Sequence, residues 1–157
     1  MKKIIAALLA TFAFLATPAT AADSPFYVGA QVGAATSILG GYQIDKMFSA
    51  EALYGKYDEY ATSMGVFGVA HFQNLIKTNP KVSFFAKAGI VKTTVDIPQI
   101  CYTFFTTICA GGGSYTSTDL AIGGGAEYEF NKNVSARVGL DLGEYDDDLY
   151  VGVIYKF

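Results

Sequence analysis

The final nine residues, Leu149-Tyr150-Val151-Gly152-Val153-Ile154-Tyr155-Lys156-Phe157, alternate without interruption and stop at an aromatic. Successive side chains of a strand point to opposite faces. Leu149, Val151, Val153, Tyr155 and Phe157 therefore share one face, and Tyr150, Gly152, Ile154 and Lys156 the other. A bare apolar strand edge invites association with other chains. A sheet that closes its last strand on its first has no edge, and an apolar outer face can then meet lipid with every backbone polar group paired inside the sheet. The end of the chain thus points to a closed barrel that turns its apolar face outward.

The same alternation recurs along the chain and predicts seven further strands. They run from Phe26 to Ala34, Ile38 to Ile44, Phe48 to Tyr57, Thr62 to Phe72, Val82 to about Val95, Thr118 to Phe130 and Val134 to Leu142. Polar turns separate them, with Asp45-Lys46, the segment from Gln73 to Pro80, Asn131-Lys132-Asn133 and Asp146-Asp147-Asp148 the clearest. The 17 glycines and 23 Phe plus Tyr, with no Trp, suit short, tightly packed strands. Eight strands of about ten residues match the smallest transmembrane β-barrel. The expected fold is all-β: an eight-stranded antiparallel up-and-down transmembrane barrel, in one domain.

The amino terminus supports export. Lys2 and Lys3 precede an apolar run from Ile4 to Ala16, followed by Pro18 and the small-residue site Ala19-Thr20-Ala21. That is the layout of a secretory signal peptide, and the run is too short to span a membrane as a helix. Residues 1–21 are expected to be the cleaved signal and residues 22–157 the barrel domain. Cleavage removes two of the eleven basic residues and leaves fourteen acidic ones. An acidic export product offers no electrostatic basis for nucleic-acid binding.

A soluble eight-stranded barrel would place its apolar alternation inside. Here the opposite face carries Gln31, Glu51, Lys87, Glu127, Glu129, Arg137, Asp141 and Lys156, too much charge for a soluble core. Measured from the nearest turns, Glu51, Lys87, Glu127 and Arg137 fall in one slab about 10–15 Å along the barrel axis. Unpaired charges there would be costly, whereas a closed set of bridges is tolerable. Glu51 with Arg137 and Lys87 with Glu127 is one pairing, exchange of partners is another, and Asp141 stands where it could take Arg137.

Several segments resemble the transmembrane domain of OmpA-like outer-membrane barrels: Phe26-Tyr27-Val28-Gly29, Gly40-Gly41-Tyr42-Gln43-Ile44, Phe85-Ala86-Lys87-Ala88-Gly89 and Tyr155-Lys156-Phe157. The resemblance covers essentially the whole chain after the signal. It implies a bacterial outer-membrane location, and a lumen closed by a Glu, Arg, Lys, Glu set to which Glu51, Arg137, Lys87 and Glu127 correspond. It further implies that Val153, Tyr155 and Phe157 form a signal read by the outer-membrane assembly machinery. No peptidoglycan-binding domain is expected after Phe157, and most outer loops are expected to be short, which weighs against an adhesin role.

One segment differs, from Asp96 to Ser117. It carries Cys101 and Cys109 together with Ile97, Ile100, Tyr102, Phe104, Phe105 and Ile108. In an exported chain two cysteines eight residues apart are expected to form a disulfide. Gly111-Gly112-Gly113 reads as a flexible return. With no histidine or second cysteine pair nearby, neither metal nor any other cofactor is expected. Two readings stand: a stapled knob that offers its aromatics to a surface partner through residues 97–117, and a hairpin extension whose aromatics lie at the barrel rim, which is the favoured one.

Catalysis has little support in the sequence. The only histidine, His71, has no serine two or four residues away on its own strand. Glu127 and Glu129 share a face without a cleft, and Gly123-Gly124-Gly125 lacks the context of a phosphate loop. The sequence therefore favours a monomeric, non-enzymatic barrel with a charge-plugged lumen and a structural or surface-interaction role. Its expected surroundings are outer-membrane lipid and lipopolysaccharide. A narrow gated channel is the alternative, and a lipid A-modifying enzyme the weakest third.

Overall fold

The computed structural model describes residues 24–73, 79–103, 107–143 and 147–157; the segment 1–21 expected as a signal peptide lies outside them. Eight strands follow in order: β1 (Phe26–Val32), β2 (Thr36–Gln43), β3 (Phe48–Lys56), β4 (Ala61–Phe72), β5 (Val82–Thr103), β6 (Thr107–Glu129), β7 (Val134–Leu142) and β8 (Asp147–Lys156). Each pairs antiparallel with its neighbours, and β8 closes on β1, so the sheet is a barrel without an edge along its wall.

The registers fix its geometry. Stepping sideways through paired residues runs Phe26, Tyr42, Ala50, Gly68, Ala88, Ile122, Leu142 and Asp147. The β8–β1 register, with Val151 opposite Val32, places Asp147 opposite position 36, ten residues from the start. Eight strands with that stagger tilt by about 40° and enclose a barrel of about 8 Å radius, narrow enough for side chains to fill.

Alternation sorts the faces as the sequence suggests. Val66, Leu120, Leu149 and Val151 are each at least 60 % exposed, and all point outward. Toward one end the outer face turns aromatic, with edge-to-face pairs Phe26–Tyr42, Tyr128–Phe130 and Tyr155–Phe157 at 5.1–5.3 Å between ring centres. Aromatic girdles flanking an apolar band are the pattern of a barrel seated in a bilayer. The core is the lumen: Tyr27, Phe67, Val69, Phe85, Tyr150 and Ile154 are buried there.

The tight turns close on side chains. Asp45 Oδ1 accepts the amides of Met47 and Phe48 at 2.6 and 2.7 Å, and Asn131 Oδ1 those of Asn133 and Val134 at 2.9 Å. Asp58 does the same for Tyr60 and Ala61 at the opposite end. Such local bonds are why Asx residues initiate turns. β1 stops at Val32, two residues earlier than expected, because Gly33 donates to the Ala35 carbonyl and Ala34 to Asp148 Oδ1.

The largest departure is the segment expected as a loop. β5 and β6 continue as a ribbon to Thr103 and from Thr107 in an unbroken register, with Ile97 opposite Gly113 and Cys101 opposite Cys109. Pairing of β4 with β5 ends at Ala61↔Val95, and that of β6 with β7 at Ile122↔Leu142, so the ribbon stands beyond the barrel wall. Gly111, Gly112 and Gly113 are strand residues rather than a return. Their φ values of +81°, +89° and +154° disfavour any side chain, and a Cβ on Gly111 would press on the Pro98 carbonyl at 3.0 Å. Cys101 and Cys109 form a disulfide near the tip. The side chains of Ile100, Tyr102, Phe104, Phe105 and Ile108 lie outside the described residues.

Candidate functional site: a charge cluster across the lumen

β3 and β7 lie four strands apart in an eight-stranded barrel, on opposite walls. Glu51 projects inward from β3 and Arg137 from β7, and they meet at 2.7 Å, so one side chain pair crosses the lumen. The guanidinium also reaches Glu127 on neighbouring β6 through Nε at 3.3 Å and Nη2 at 3.1 Å. Its face covers the Phe85 ring at 4.5 Å. A planar, multidentate cation is suited to hold two carboxylates at once. All three charged side chains are at most 3 % exposed.

Other donors reach the same carboxylates. Tyr27 donates to Glu51 Oε1 at 2.8 Å, Ser135 donates to Glu127 Oε1 at 2.7 Å, and Lys156 bridges Glu127 and Glu129 at 3.1 Å each. Gly41 lies beneath the Tyr27 ring, where any Cβ would collide. A buried ion cluster is tolerable only when its bonds close in this way.

Lys87 does not join that cluster. Its ammonium pairs with Asp141 at 2.7 Å and lies 4.7 and 4.6 Å from the Phe67 and Tyr150 ring centres. The lateral row explains the choice: Lys87 stands opposite Gly123, and Gly123 opposite Asp141. With no side chain on the strand between them, the two charges meet over the glycine; a Cβ there would strike Asp141 Oδ1. The Lys87–Glu127 pairing is therefore replaced by Lys87–Asp141, and Asp141 leaves Arg137 to the two glutamates.

One contact escapes a search along single strands. His71 Nε2 lies 2.9 Å from Ser49 Oγ on adjacent β3, and Ser49 Oγ in turn lies 2.9 Å from the Tyr27 hydroxyl oxygen. The pair resembles a base and nucleophile in distance only. Ser49 is 2 % exposed, and the cavity beside it holds about 20 Å³, room for a water or so and not for a lipid. Among the described residues no group of three or more His, Cys, Asp or Glu is arranged to hold a metal ion.

No protein-family model matches the chain, and no curated protein matches it by sequence. Solved structures do. The N-terminal β-barrel domain of Pseudomonas aeruginosa OprF superposes with a TM-score of 0.61 at 17 % identity, over 84 % of this chain and 95 % of that one. Neisserial surface protein A gives 0.54 at 18 % identity, over 85 % and 98 %. The Yersinia pestis outer membrane protein Ail gives 0.51 at 12 %, over 84 % and 98 %. The fold is that of the eight-stranded outer-membrane barrels. The OmpA-like architecture expected from the sequence is the architecture observed, and within it the cluster of Arg137, Glu51 and Glu127 occupies the middle of the lumen.

Proposed function

We propose that this protein is a plugged outer-membrane barrel whose work is done at its surfaces rather than through its lumen. The observation that carries this reading is the Arg137–Glu51 bond across the barrel, backed by Glu127, Tyr27 and Phe85. The barrel would act as a rigid, lipid-embedded mount in the envelope. The disulfide-closed ribbon, rising well beyond the wall on the side away from the chain termini, would be the part that meets other components of the cell surface. Val153, Tyr155 and Phe157 would serve insertion by the assembly machinery before that role begins.

The test uses cells lacking the protein, complemented either by the intact chain or by one with Tyr102 to Ile108 excised, and scores sensitivity to detergent and to bulky antibiotics. Restoration by the intact chain alone assigns the required contact to the ribbon. Equal restoration by both leaves the barrel as the working part. Failure of both to change the barrier would count against an envelope role.

A further inference from the structure

The registers also set the height of every outward side chain. With strands tilted by about 40°, each residue along a strand rises about 2.5 Å along the barrel axis, and each step to the next strand about 3 Å. On that scale Phe26, Tyr42, Phe48, Phe72, Tyr128 and Tyr155, each from a different strand, fall within about 4 Å of one level. An aromatic level of this kind marks one edge of an apolar band about 25 Å tall.

The other edge carries two cations. Lys56 at the end of β3 and Lys92 on β5 are exposed and face outward, in step with exposed Tyr54, Met64 and Ile90. Both fall about 22 Å above the aromatic level, although they belong to different register rows. Strand β4 runs between them, with Thr62 opposite Lys56 and Met64 opposite Lys92. Their backbones are about 11 Å apart, a gap that two four-carbon stems can close toward one anion. In the lumen Lys87, Arg137 and Lys156 are each paired with a carboxylate. Among the described residues neither Lys56 nor Lys92 enters an ion pair. Asp96 shares their face but stands about 10 Å farther out. Asp147, at their height, lies on β8, across the barrel from β4.

From this placement we propose that the β3–β5 side of the outer rim binds the phosphate of an outer-leaflet glycolipid, with Lys56 and Lys92 as its two cationic contacts. A lysine at a lipid boundary lays its stem along apolar surface and carries its ammonium out to the headgroup. An anionic headgroup there attracts each such cation. Thr62 stands between the two ammonium groups with a hydroxyl to offer, and Met64 and Ile90 below it meet the acyl chains. The acid on the far side makes the rim asymmetric, so the pair selects one lipid against β4 instead of a uniform shell. The site belongs to the wall alone and stands whether or not the lumen conducts or the ribbon meets a partner.

The folded barrel in detergent micelles is titrated with bis-phosphorylated lipid A, with the same glycolipid stripped of phosphate as its neutral counterpart, and lipid retention is read by native mass spectrometry. One lipid A per barrel is expected to saturate first, held about tenfold more tightly than the stripped lipid. Lys56→Gln/Lys92→Gln is expected to lose about that tenfold. Lys46→Gln/Lys132→Gln, which removes the same charge from exposed turns at the opposite end, is expected to leave retention unchanged. Equal retention of the stripped lipid, undiminished binding by the folded Lys56→Gln/Lys92→Gln variant, or an equal loss in the turn variant would each overturn the site. Displacement of lipid A by millimolar inorganic phosphate would overturn it too, because it would mark a site for the free anion. The comparison of the two lipids needs no variant, so it decides even if the substitutions impair folding.

Discussion

Arg137 holds two carboxylates that would otherwise face each other in a closed space. Its replacement by methionine fills similar volume but leaves Glu51 and Glu127 buried without a cation. Removing one partner of a buried ion pair costs about 3–5 kcal/mol. The expected result is a lower urea midpoint for the folded band, whose gel mobility shifts on heating. Adding Glu51→Gln and Glu127→Gln to Arg137→Met is expected to return most of the loss, because the remaining groups no longer need a counter-charge. Gly123 tests the second bridge. Gly123→Ala is expected to cost about 1–3 kcal/mol by overpacking against Asp141 and the Leu140 carbonyl. In an Asp141→Ala background the cost should shrink, and a double-mutant cycle in urea measures the difference.

At the scale of elements, the β5–β6 ribbon divides the molecule into a wall that every strand supports and an extension that only two strands share. The Cys101–Cys109 bond closes a short loop at its far end, and in the chain-entropy account it stabilises that loop by about 2–3 kcal/mol. Cys101→Ser/Cys109→Ser is therefore expected to speed amide exchange and proteolysis within residues 96–115 while leaving the barrel's thermal transition in place. A lowered barrel transition would mean that the ribbon props the wall. How far such elements are legible in sequence depends on what sets them. Alternating faces set β1 to β4, β7 and β8, and those strands are readable to within two residues. Pro98 and Gly111-Gly112-Gly113 look like punctuation, yet cross-strand pairing carries the ribbon straight past them. The inward placement of Glu51, Lys87, Glu127, Arg137 and Asp141 follows from the same alternation. Their partners do not, because the ten-residue stagger decides which rows face one another. The bare Gly123 between Lys87 and Asp141, and the Ser49–His71 contact across two strands, become visible only once that register is known.

For the whole molecule, closure in two senses organises the account: the sheet closes on itself, and the lumen is closed by side chains. An outer face of Val66, Leu120, Ile122, Leu149 and Val151 needs lipid, and an inner face of charges needs complete pairing. The ten-residue stagger supplies both, setting a radius at which Arg137 can touch the opposite wall. The narrow-channel alternative shares every one of these contacts and differs only in supposing that the bridges open. Recording from single barrels in a planar lipid bilayer separates the two most directly. The account predicts no conductance steps from the native protein across a range of voltages, and small, frequent steps once Arg137 is replaced by serine in a barrel that still folds. Steady steps from the native protein, unchanged in that variant, would contradict it.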